Sequence, residues 1–143
     1  MKRLVSKTKA IAKILIGVVV ASFLGSIITV SVMLIVRAGI FSLAIGMLIM
    51  IGAVMVGAML GSKWAKKNIA DKKEARNVAL WSALIFLVVN ILVSGIGVFL
   101  SSTIAGIKTN FLTQAAQITA QSFMIYAASR YVMNRLIKKE NNE

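Results

Sequence analysis

The chain contains no cysteine, no histidine and no proline. Without cysteine no disulfide can staple it in any compartment. Without cysteine and histidine together, thiolate nucleophiles, imidazole bases and the usual zinc, haem and iron–sulfur ligand sets are excluded. The lack of proline removes the commonest cause of kinked or broken membrane helices. Acids are nearly as scarce, since Asp71, Glu74, Glu140 and Glu143 are the only four and all lie in charged tracts. No carboxylate sits in an apolar segment where it could relay protons or hold a cation. Neither a metal nor a cofactor is expected, and proton-driven transport through a buried acid is not expected either.

What the chain does have is apolar surface. Of its 143 residues 59% are hydrophobic and 15% charged, with a mean hydropathy of +0.88. A soluble domain of this size needs polar side chains over its whole surface, and here the charges are bunched into short tracts. Between them lie uncharged runs: 23 residues from Lys13 to Arg37, 25 from Arg37 to Lys63, 31 from Arg76 to Lys108 and 21 from Lys108 to Arg130. About 20 helical residues cross a hydrocarbon core of about 30 Å. The expected fold is therefore all-α, a single polytopic membrane domain over 1–143 with four transmembrane helices at about 14–36, 40–61, 78–100 and 111–133. The first span far exceeds a signal-peptide core and reads as an uncleaved anchor.

The basic residues set the orientation. Fifteen of the 17 lie in the N-terminal tail, the middle loop 62–77 and the C-terminal end, whereas only Arg37 and Lys108 lie on the other side. The positive-inside rule puts both termini and the basic loop in the cytoplasm, as in a multi-pass protein of a bacterial-type inner membrane. The loop has no glycine or proline and is expected to be helical, with Trp64 and Ile69 toward lipid. The net charge of +13 is mostly this topology signal. Nucleic-acid binding is not expected, because stacking aromatics do not interleave with the basic tracts. Membrane lipids are the expected partners, anionic headgroups in particular, with Lys63, Lys66, Lys67, Arg130 and Arg135 as candidate headgroup or phosphate contacts.

Span four is the polar one. At 100° per residue Asn110, Gln114, Gln117 and Gln121 fall within an arc of about 60°. Facing lipid, unpaired amides cost kcal/mol each, so the stripe is expected to face other helices or an aqueous path. Span three offers a matching face of Ala79, Ala83, Phe86, Asn90, Ser94 and Gly97, in which Asn90 is the strongly polar residue at mid-membrane depth. These stripes read either as helix–helix glue, on the order of 0.6 kcal/mol per hydrogen bond, or as the lining of a route. Ala53, Gly57 and Gly61 in span two and Ala21, Gly25 and Thr29 in span one are small-residue packing faces. No catalytic residue is expected. The only pairing that composition allows, a Ser/Lys dyad of Lys108 with Ser101 or Ser102, has nothing else to support it.

Gly61-Ser62-Lys63-Trp64 at the end of span two is echoed by Ala128-Ser129-Arg130-Tyr131 at the end of span four. This echo fits a two-hairpin parallel repeat about an axis along the membrane normal. It fits equally the general habit of spans to finish inside with an aromatic and a base. With Ser122-Phe123, Arg130-Tyr131-Val132 and Asn134-Arg135, the layout resembles the GtrA-like family of small four-span proteins linked to moving polyprenol-phosphate sugars. That resemblance implies polyprenyl-phosphate lipids as partners and a phosphate-facing role for Arg130 and Arg135. The expected function is a non-enzymatic translocase, or a helper subunit, for a lipid-linked or amphipathic substrate. The alternatives are an oligomeric pore, holin-like or channel-like, and an assembly subunit of a larger membrane complex. A homo-oligomer or a subunit of a complex is expected in each case.

Overall fold

The computed structural model describes residues 2–36, 40–104 and 111–140. They form four helices, α1 (Lys2–Val36), α2 (Ile40–Ala65), α3 (Lys72–Ile104) and α4 (Phe111–Glu140). Arg37, Lys108 and Asn110, and the side chains of Ser101 and Ser102, lie outside what is described. Three helices, α1 to α3, are long and apolar enough to cross a membrane, and the protein is membrane-embedded. α4, with its glutamines and threonines, does not reach that apolarity, although its 30 residues extend about 45 Å.

The helices run further into the charged tracts than the apolar runs alone imply. α1 begins at Lys2 rather than near residue 14, because nothing in the sequence before the apolar run breaks a helix. The basic loop is not continuous helix, a correction to the expectation above. α2 ends at Ala65, a single 3-10 turn covers Lys66–Asn68, and Ile69 is extended with φ −124° and ψ 124°. α3 then restarts on a cap, with the Glu74 N–H donating to Asp71 Oδ1 at 2.7 Å and the Ala70 N–H donating to Glu74 Oε2 at 3.0 Å. Asp-x-x-Glu is a capping-box pattern, and it is what divides the tract in two. Ile69 turns inward against the core rather than toward lipid, whereas Trp64 is 56% exposed, as expected.

Around the bundle α1 packs on α2, α2 on α4, α4 on α3 and α3 on α1. Two antiparallel hairpins therefore lie side by side, α1 beside α3 and α2 beside α4. A twofold axis along the membrane normal would set those two pairs on the diagonals, so the parallel repeat in that form is not seen. The α1–α2 seam is the closest. A Cβ added at Gly57 would stand 2.5 Å from the Gly17 carbonyl oxygen and 2.7 Å from Ala21 Cβ, and one at Gly61 would stand 2.7 Å from Ile14 Cα. At Gly25 it would meet Ala53 Cβ at 2.6 Å. The small faces read from the sequence do meet, and Gly17 completes the row on α1.

The core is built from Ala10, Ile14 and Val18 of α1, Val54 and Ala58 of α2, Ala75 to Phe86 of α3 and Ile118 to Ile137 of α4 at helical spacing. Buried Ser62, Ser82 and Ser122 each donate back to the carbonyl four residues earlier in their own helix, which lets polar but small side chains sit in a dry interface. The N-terminal stretch is tied to the loop. Ser6 Oγ donates to the Asn68 carbonyl at 2.7 Å, Lys13 Nζ donates to Asn68 Oδ1 at 2.6 Å and lies 5.5 Å from the Trp64 ring centre, and Lys7 pairs with Glu74 at 3.6 Å. These links bring the start of α1, the end of α2 and the start of α3 together at one basic end.

Candidate functional site

At that end a cleft of about 680 Å³ opens between α2 and α4. Helical spacing builds both walls. Val56, Met59, Leu60 and Lys63 recur every three or four residues along one side of α2, and Tyr131, Val132, Arg135, Leu136 and Lys138 do so along α4. The deeper part is apolar, and Lys63, Arg135 and Lys138 sit at its charged edge. A second recess of about 450 Å³ adjoins it, sharing Lys63 and Leu136 and adding Lys66, Lys67 and Ile69. Five cations thus border one continuous depression, and among the described residues no carboxylate lines either part.

The two acids described in this region, Asp71 and Glu74, are held elsewhere. Glu74 is committed to Lys7 and to the Ala70 N–H, and Asp71 to the cap of α3 and to a separate recess with Lys72, Lys73 and Ile137. Lys63, Arg135 and Lys138 thus give the cleft a positive edge beside a low-dielectric wall, where a charge acts on an anion more strongly than it could in open water. Trp64 and Tyr131, exposed at 56% and 60%, stand at the same height, as aromatic side chains do at a membrane–water boundary.

No protein-family model, no curated protein and no solved structure matches the chain.

Of the five cations singled out in the sequence, the structure brings together Lys63, Lys66, Lys67 and Arg135. Arg130 is set apart. Its guanidinium donates to Tyr126 Oη at 3.1 Å and stacks 5.8 Å from that ring, on an exposed face outside the cleft. Five helical residues separate it from Arg135, a rotation of about 140°, so the two could not line one groove. Lys138, three residues beyond Arg135, takes its place, and that spacing was a signal available in the sequence.

The intramembrane candidates divide in the same way. Asn90 and Gln121 share one recess of about 300 Å³ with Ser22, Leu15, Val19, Met50, Ile85, Phe86 and Val89. Gln121 is 7% exposed, whereas Gln114, Gln117 and Ser94 are half-buried and do not line it. Asn90 Nδ2 donates to the Phe86 carbonyl of its own helix at 2.8 Å rather than across to α4. Among the described residues no hydrogen bond joins the glutamine stripe to α3. Ser22 was not anticipated; a lone serine in an apolar helix carries no pattern.

Proposed function

We propose that this protein is a small non-enzymatic lipid-handling protein of the membrane, a translocase or a helper subunit for an amphipathic, anionic substrate. The single observation that carries this reading is the α2–α4 cleft, apolar along its depth and bordered by Lys63, Lys66, Lys67, Arg135 and Lys138, with no acid among the described residues of its lining. Such a site fits an acyl or prenyl chain below and a phosphate above. Each Lys or Arg near an anionic surface contributes about 1 kcal/mol of attraction, and Arg135 can offer a two-pronged donor to phosphate. Polyprenyl phosphates, suggested by the GtrA-like resemblance, are one such lipid, and anionic glycerophospholipids are another.

The reading takes α4 as a fourth span despite its polarity. α4 runs beside α2 and brings its basic end to the same end of the bundle, which supports reading it as crossing alongside α2. Part of its polar face is then sheltered from lipid by α2 and α3, as the burial of Gln121 and Ser122 supports. The positive-inside rule makes the basic end cytoplasmic.

The test uses Trp64 as a reporter, after Trp81→Phe removes the other tryptophan. In vesicles, brominated phosphatidylglycerol should quench Trp64 more strongly than brominated phosphatidylcholine, and undecaprenyl phosphate should compete. Replacing Lys63, Arg135 and Lys138 by Gln should abolish the preference. Equal quenching by the two lipids would count against the reading, and rapid dye release from the same vesicles would favour a pore instead.

A further inference from the structure

We infer a second, separate site: the recess between Ser22, Asn90 and Gln121 binds an uncharged lipid through a hydroxyl head, taken in sideways from the bilayer. It rests on the proposal that α4 spans the membrane, but not on the reading of the basic cleft. Gln121 is 7% exposed, and its amide, with one acceptor and two donors, has no hydrogen-bond partner among the described residues. Asn90 spends its donor on the Phe86 carbonyl, which leaves its Oδ1 open, and Ser22 Oγ is buried without a partner. Three unsatisfied polar groups around one cavity in a membrane bundle are costly when empty, and a bound ligand that both donates and accepts relieves them.

The chemistry of the lining narrows the ligand. No charged residue lines the recess, so an anion or a cation would enter it without a counter-charge, at a desolvation cost that excludes both. Its remaining walls are Leu15, Val19, Met50, Ile85, Phe86 and Val89, which suit a hydrocarbon chain. At about 300 Å³ the space exceeds that of a single water by roughly tenfold. The recess reaches the lipid-facing surface at Val19, Ile85 and Val89, all exposed, where α1 and α3 make the sparsest of the four helix–helix contacts. Gln121 stands ten residues, or about 15 Å, from Tyr131 along α4, well inside the hydrocarbon. A ligand that arrives at this depth through the side of the bundle comes from the bilayer, and its polar part is small and neutral. A hydroxyl meets both conditions, on a diacylglycerol or on a prenyl alcohol.

The full chain in phosphatidylcholine nanodiscs is photolabelled with a diazirine-bearing diacylglycerol, with a diazirine-bearing prenyl alcohol, and with diazirine-bearing phosphatidylglycerol as the anionic control. The expected result is saturable labelling of peptides carrying Val89 or Gln121 by a hydroxyl lipid, and the more efficient of the two names its source. Phosphatidylglycerol should not compete. Gln121→Leu should weaken the labelling about five- to tenfold, the loss of one to two buried hydrogen bonds. Val19→Trp, on the exposed rim and outside the core, should block it while leaving the fold intact. Labelling that does not saturate, or that is unchanged in both variants, would overturn the proposal. So would an absence of labelling by either hydroxyl lipid, which would leave water as the occupant.

Discussion

Gly57 shows at the scale of one residue why this bundle closes as it does. Its missing side chain lets the backbone of α2 approach to within reach of the Gly17 carbonyl on α1, and any Cβ there must push the two helices apart. Gly57→Ala should therefore destabilise the protein by about 1 to 3 kcal/mol, read as a lower melting temperature in detergent. Gly52→Ala is the matched control, because a Cβ there meets nothing within 4 Å. It should be neutral or stabilising by about 0.5 to 1 kcal/mol through helix propensity. Equal effects of the two would refute the seam. Gly57 and Gly61 were legible because their four-residue spacing is itself the packing signal. Gly17 was not, since its role depends on how far α2 slides along α1, which only docking decides. Arg130 lies outside the cleft for a related reason: the aromatic-basic echo marks it as a candidate, whereas helical phase turns it away and brings Lys138 in.

At the scale of elements, the restart of α3 rests on Asp71 and Glu74, whose carboxylates accept from the Glu74 and Ala70 N–H groups and stop the loop from running on as helix. Asp71→Ala should cost about 1 kcal/mol, measured by thermal unfolding, and amide exchange at Glu74 and Ala75 should quicken. Read from composition, these acids were only interruptions in a basic tract; the Asp-x-x-Glu spacing held the information and apolar periodicity did not. Long apolar runs gave the interior parts of α1, α2 and α3 correctly, yet the ends lie where hydrophobicity says nothing and capping decides. α4 is the element on which the topology turns. In this cysteine-free chain, Lys67→Cys and Lys138→Cys should both be shielded from an impermeant thiol reagent in intact cells and both label after permeabilisation. Labelling of Lys138→Cys alone in intact cells would mean that α4 does not cross.

At the scale of the whole molecule, charge and apolar surface are segregated along the bundle, and the cleft lies where they meet. One basic end gathers the start of α1, the end of α2, the loop and the end of α4, tied together by Lys13, Asn68 and Ser6. The gathering was legible in the sequence as a distribution of fifteen cations against two. The cleft was not, because it requires α2 and α4 to be neighbours, and no local pattern states which helices touch. The account stands on the claim that this cleft holds an anionic lipid. Native mass spectrometry of the intact protein, released from mild detergent, measures that directly. Wild-type protein should retain an anionic lipid at collision energies that strip zwitterionic lipid, and the Lys63→Gln, Arg135→Gln, Lys138→Gln variant should lose it while Arg130→Gln keeps it. Equal retention by wild type and the triple variant, or loss through Arg130→Gln alone, would contradict it.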